Sequence, residues 1–205
     1  MRNLWRQMQL MKYYFIASAL VFAVGVVMGV GFADQFQAFI DEQLAGLRQL
    51  TESIENQPNP QMTLFWLIFL NNTSKSILII ALGAFFGILP LFFLLSNGLL
   101  LGYVGVAATK KVSLAHFLAG ILPHGVIEIP AIIFACAFGL RFGVLILKTM
   151  IGAIRPGGLV AKKEQLRDFT KALGPAVLVL VISLGIAAVI ESTITYWLVA
   201  PEPAA

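Results

Sequence analysis

The sequence predicts an all-α fold: a polytopic membrane helix bundle of about five spans, with short broken or re-entrant segments and an external amphipathic helix. Three observations lead there. Mean hydropathy is +0.89. Only 12% of the 205 residues are charged, about half the roughly 25% of a soluble domain and too few to cover the surface of one this long. Several apolar runs approach the ~20 residues a helix needs to cross hydrocarbon. The net charge of +4 comes from bases in short flanks between those runs, where topology signals belong, so no nucleic-acid partner is expected. Cys136 is the single cysteine and cannot form an internal disulfide. Residues 1–205 read as one integral membrane domain.

The first span is predicted over residues 13–33. Its basic flank (Arg2, Arg6, Lys12) and Gly31-Phe32-Ala33 mimic a signal peptide. The run from Phe15 to Phe32 is longer than the usual apolar core of about 7–15 residues, which predicts an uncleaved anchor. Gly25 and Gly29 form a small-xxx-small face, where another backbone can approach.

Residues 34–62 are acidic, with Asp34, Asp41, Glu42, Glu52 and Glu55 against Arg48. Phe36, Phe39, Ile40, Leu44, Leu47, Leu50 and Ile54 recur at three- and four-residue steps. This is the pattern of an amphipathic helix, on the membrane surface or against the bundle, ended by Asn56-Gln57-Pro58-Asn59-Pro60.

The run 64–70 is too short to span. Asn71-Asn72-Thr73-Ser74-Lys75 interrupts it and opens a second span over 75–95. Asn72 or Ser74 would cap that helix, or the interruption is a broken membrane helix facing a cavity. Pro90 predicts a kink, and Gly83 and Gly87 repeat the close-packing spacing. Ser96-Asn97-Gly98 predicts a tight turn before a weak third span over 97–113. The alternative is a re-entrant pair, 97–109 and 113–125. Pro123 is expected to end the piece 114–122, which carries His116.

A fourth span follows over 126–147, with Gly139 and Gly143 spaced for packing. Residues 148–171 form a basic loop, with Lys148, Arg155, Lys162, Lys163, Arg167 and Lys171 outnumbering Glu164 and Asp168. The last span is 174–200, closed by Tyr196 and Trp197 where interfacial aromatics belong. The bases place the N-terminus and the 148–171 loop in the cytoplasm, and the 34–62 segment and the C-terminus outside the cell membrane.

The polar groups within the apolar sequence are the candidate site. In Pro123-His124-Gly125-Val126-Ile127-Glu128-Ile129-Pro130, His124 and Glu128 share one helix face. Pro123 fits a first helical position, Gly125 admits a close backbone and Pro130 frees a carbonyl near Val126. Three roles compete. They are a structural tie between helices, a proton- or ion-linked site in a pathway, and a metal site using His116, His124 and Glu128, the last without any H-E-x-x-H pattern. Glu191 is a buried partner or lies near the outer surface. Arg141 is a snorkelling anchor or the partner of Glu128 or Glu191. No phosphate loop, G-x-S-x-G or dinucleotide fingerprint occurs, so neither enzyme activity nor a cofactor is predicted.

The chain resembles the stage II sporulation protein M family of integral membrane proteins. The resemblance rests on Asn71-Asn72 after an aromatic-apolar segment, on Asn97-Gly98 followed by Gly102, and on Pro123-His124-Gly125-x-x-Glu128 with Pro130 and Ala131. The ordered set covers nearly the whole chain and is most similar to the broad bacterial and archaeal branch. It implies a multi-pass helical protein of the cytoplasmic membrane, without enzymatic activity. In spore formers it implies a scaffold that anchors two peptidoglycan-degrading partners during engulfment. The expected function is therefore a membrane scaffold in contact with lipids and cell-wall hydrolases. His124, Glu128, Asn71, Asn72, Asn97 and Gly98 would fix its architecture, and Gly25/Gly29 and Gly83/Gly87 would be available for a homodimer. The alternatives are a small-solute or ion transporter using a midplane His/Glu site, and an intramembrane metalloenzyme.

Overall fold

The computed structural model describes residues 2–45, 58–110, 114–154 and 159–195, the side chains of 33, 114–124, 194 and 195 excepted. The described residues are helical almost throughout. In order they form α1 (Arg2–Leu10), α2 (Lys12–Gly31), a 3-10 turn (Ala33–Phe36), α3 (residues 37–45), α4 (Pro60–Leu82), α5 (Ile88–Thr109), α6 (Leu114–Ile154), α7 (Leu159–Ile190) and a π-helical turn (Glu191–Thr195). Five of these helices, α2, α4, α5, α6 and α7, are long and apolar enough to cross a membrane. Their outward residues, such as Ile16, Leu20, Val27, Leu78, Ile182 and Ile186, are large and exposed, as a lipid-facing surface requires.

The number of spans agrees with the sequence, but the breaks fall elsewhere. Residues Asn71–Lys75 do not interrupt anything: α4 starts at Pro60, in the first helical turn where proline is favoured, and runs unbroken to Leu82. The second span is thus 60–82 rather than 75–95, and the amphipathic segment ends before Met62. In hydrocarbon every backbone group must bond internally, so a polar stretch that would fray in water stays helical. Ser74 turns its hydroxyl back onto the Asn71 carbonyl at 3.2 Å instead of capping a new helix.

The real break is the turn 83–87. Gly83 N–H still donates to the Ile79 carbonyl, and Gly87 N–H to the Gly83 carbonyl at 2.9 Å. Phe86 and Gly87 then take positive φ values of 57° and 77°, which reverses the chain into α5. Glycine adopts this conformation without steric cost, whereas phenylalanine rarely does. Pro90 falls in the first turn of α5 and kinks nothing. Ser96-Asn97-Gly98 lies inside α5 and makes no turn, so the third span is 88–109 rather than 97–113.

Pro123 does not end a helix either. It lies within α6, a single helix of 41 residues, roughly 60 Å long at 1.5 Å per residue. The re-entrant pair therefore does not form: residues 97–109 belong to α5, and α6 takes up 114–125. Most of the expected basic loop 148–171 is helical too, because α6 continues to Ile154 and α7 begins at Leu159 with Pro175 inside it. Tyr196, Trp197 and residues 46–57 lie outside the described residues.

Glycine contacts set the packing. A Cβ on Gly25 would meet Leu95 and Gly98, one on Gly29 would meet Leu99 and Tyr103, and Gly98 and Gly102 in turn press on Phe22 and Val26. Both chains advance together, so α2 and α5 are parallel. On the other side Asn72 faces Glu128, Gly83 faces Gly139 and Gly87 faces Gly143, with the same offset of 56 residues at each level. So α4 and the turn after it run parallel to α6. α7 is antiparallel to α6: Phe169 meets Phe142, while Val179 and Ser183 meet Val126 and Pro130. An aromatic ladder of Phe15, Phe134, Phe138 and Phe169, with ring centroids 4.6–5.9 Å apart, joins α2, α6 and α7. Phe39 of α3 meets Phe92 of α5 edge-on at 6.4 Å, so the start of the amphipathic segment lies against the bundle.

Candidate functional site

The polar residues of the interior sit where α4 and α6 cross. Their parallel register brings Asn72 opposite Glu128, and Asn72 Nδ2 donates to Glu128 Oε1 at 2.9 Å. The neighbouring Asn71 reaches Asn72 Oδ1 at 3.4 Å, so the two amides and the carboxylate form a short chain. One step along the same face, Ser76 is fully buried. A carboxylate at membrane depth is costly unless it is paired. Here an amide from the adjacent span supplies the donor.

Asn97 does not join this group. Its Nδ2 donates to the Phe93 carbonyl at 2.8 Å, one turn back on its own helix. Gly98 contributes by its missing side chain, pressed against the Phe22 carbonyl of α2. Gly125 is buried and Pro130 exposed. Pro130 edges a cavity of about 300 Å³ with Val126, Ile127, Phe134, Val179 and Ser183. His124 lies four residues from Glu128 on unbroken α6. The side chains of His124, His116 and Pro123 are outside the described residues.

Arg141 does not pair with Glu128, which lies 13 residues earlier on the same helix, about 20 Å away along the axis, nor with Glu191. Its Nη1 donates to the Gln7 carbonyl of α1 at 3.0 Å. Its guanidinium lies over the Phe169 ring at 5.5 Å, a favourable stacking geometry. The same end of the bundle holds the Arg6–Asp168 ion pair at 2.8 Å and the bond from Asn3 Nδ2 to the Asp168 carbonyl at 2.9 Å. Sequence reasoning missed this cluster because Arg2–Leu10 read only as a charged flank. The overlooked signal was the helical spacing of Leu4, Gln7 and Met11, all of which are buried. Glu191 opens the π-helical turn that closes α7, where Ser192 and Thr193 turn their hydroxyls onto the Val189 carbonyl.

The glycine pairs that the sequence offered for a homodimer are used inside the chain. Gly25 and Gly29 are covered by α5, and Gly83 and Gly87 by α6. A second copy would have to dock elsewhere.

Parallel glycine-packed pairs, five spans and an amide–carboxylate tie between two of them define a multi-pass membrane protein whose mid-span polar groups link helices. The chain belongs to the Stage II sporulation protein M family, whose model matches residues 18–196. A relative from Methanocaldococcus jannaschii, itself described as uncharacterized, is 32% identical over 129 residues, covering 63% of this chain and 54% of that protein. The chain thus spans about half the length of the curated relative it matches. No solved structure matches it.

Proposed function

We propose that this protein is a non-enzymatic membrane scaffold that holds partner proteins at the cytoplasmic membrane. Its basic end would face the cytoplasm, and its acidic 34–62 segment and C-terminus the outside. The partners expected from the family resemblance are cell-wall hydrolases, met through the acidic segment. The observation that supports the reading is the Asn72–Glu128 bond, through which the mid-span carboxylate links α6 to α4. The orientation is supported by the shared location of Arg6, Lys148, Arg167 and Lys171 at the end where α1 meets α6 and α7, since bases mark the cytoplasmic side.

Two experiments test this. Proteoliposomes carrying the wild type and Glu128→Gln should show the same background solute and proton flux, with only the thermal midpoint of the variant reduced. A wild-type flux that Glu128→Gln abolishes would replace the scaffold with a transporter. In intact cells, an impermeant maleimide should label a cysteine placed at Glu42 and spare one placed at Lys171. Cys136, fully buried, gives little background. The reverse pattern would overturn the orientation.

A further inference from the structure

The basic end of the bundle contains a cavity that neither the helix packing nor the Asn72–Glu128 tie explains. It measures about 310 Å³ and opens between α1, α6 and α7, with Arg6, Gln7, Tyr14, Arg141, Lys148 and Asp168 in its wall. That is near the lower bound of about 300 Å³ for small-molecule sites. Three cations and one carboxylate line it, and Arg6 already neutralises Asp168 at 2.8 Å. The remaining charge, from Arg141 and Lys148, is unopposed among the described residues.

A buried guanidinium makes this a built site. Arg141 is 9% exposed. A guanidinium carries five N–H donors. One bond, to the Gln7 carbonyl, is formed, which leaves other N–H donors of a planar fork, the shape that pairs with a phosphate oxyanion. Gln7 is 2% exposed, and its side-chain Oε1 has no hydrogen-bond partner. The half-used guanidinium has N–H groups left from which an anion in the cavity accepts.

We propose that this cavity binds a phosphate group, presented by an anionic phospholipid headgroup or by free phosphate. The depth fits a headgroup: Arg141 and Lys148 stand at the end of the span where α1 joins the bundle. Leu10, in the same wall and exposed, offers an apolar surface to an acyl chain. Basic pockets between membrane helices are a known mode of anionic-lipid recognition. Tyr14 and Gln165 add polar groups to the wall.

The test uses the full-length protein, purified in detergent and stripped of lipid. Phosphatidylglycerol should raise the thermal midpoint and appear as one retained lipid in native mass spectrometry, while phosphatidylcholine should do neither. Lys148 is exposed at the rim, so Lys148→Gln should fold normally and bind about fivefold more weakly, as expected for losing one basic residue near a lipid surface. Arg141→Lys should lose most of the binding, because a point charge replaces the fork. Inorganic phosphate, compared with chloride at equal ionic strength, forms the second arm. A midpoint shift there with no response to phosphatidylglycerol assigns the site to the free ion. No shift from either probe, or equal binding by Lys148→Gln and wild type, overturns the proposal.

Discussion

The α2–α5 seam and the α4–α6 seam are both parallel helix pairs, yet they close by different means. The first is held by backbone against backbone, with Gly25, Gly29, Gly98 and Gly102 removing every side chain that would keep the helices apart. The second shares that device at Gly83, Gly139 and Gly143, and adds the Asn72–Glu128 bond. In lipid, apolar side chains gain little by leaving one greasy solvent for another, so close contact and interhelical hydrogen bonds carry association. The glycine seam has no tolerance for volume. The polar seam has spare contacts when its bond is lost.

The largest effect should come from adding volume to the glycine seam. A side chain at Gly98 would overlap the Phe22 carbonyl, with backbone on both sides and nothing flexible to move. Gly98→Leu should destabilise the protein by about 3 kcal/mol or more, the upper range for overpacking, read as thermal or denaturant unfolding in micelles. Gly31→Leu and Gly174→Leu are internal controls, because a Cβ at either position meets nothing within 4 Å, and both should be near neutral. If Gly98→Leu behaved like these controls, α2 and α5 would not be packed as described.

Gly139→Ala is the intermediate case. Its new methyl would lie 2.8 Å from Pro90 Cγ and 2.9 Å from the Ile79 carbonyl, a buried proline ring and a backbone group, but it adds only one carbon where Gly98→Leu adds four. A loss of about 1–2 kcal/mol is expected. Gly87→Leu should damage the fold itself, since Gly87 sits at φ 77° against Leu140. A folded Gly87→Leu variant of unchanged stability would reopen the glycine-mediated dimer.

Removing the polar tie should cost less. Asn72→Ala leaves Glu128 without that donor, and a membrane interhelical hydrogen bond is worth about 0.6–2 kcal/mol. Glu128→Gln keeps an oxygen that accepts from Asn72, so its loss should be the smaller of the two. A double-mutant cycle between these positions measures the coupling directly. Zero coupling would mean that the bond does not form in the membrane.

The same contrast explains what the sequence disclosed. Five spans were legible because apolar length is read directly from composition. The spacing of Gly25/Gly29 and Gly139/Gly143 was legible as close packing. Which backbone each pair meets was not, because small-xxx-small is the same signal within a chain and between chains. Asn71–Lys75 and Ser96-Asn97-Gly98 were misread as breaks because those polar signals reflect competition from water, which hydrocarbon removes. Pro123 was misread because the loss of its one N–H does not stop α6. The actual reversal, Gly83-Ala84-Phe85-Phe86-Gly87, contains no polar or proline residue. Its two glycines serve the turn and the seam together, and only the second use has a recognisable spacing. In the candidate site, Asn72 and Glu128 stood out as polar residues in apolar surroundings, but their pairing needed the register of α4 on α6.

The smallest effect belongs to a polar contact that water reaches, and it sharpens the comparison from outside the bilayer. Arg6 and Asp168 join α1 to α7 at 2.8 Å, but their side chains are 59% and 34% exposed. Solvent screening keeps such pairs at about 0–1 kcal/mol. Arg6→Ala should therefore destabilise the protein less than Asn72→Ala does. The Arg6→Ala effect should vanish near 1 M salt, where the Debye length is about 3 Å, while the Asn72→Ala effect persists. If salt erased both effects equally, the Asn72–Glu128 bond would be as wet as the Arg6–Asp168 pair, and the carboxylate of α6 would stand in water rather than between helices.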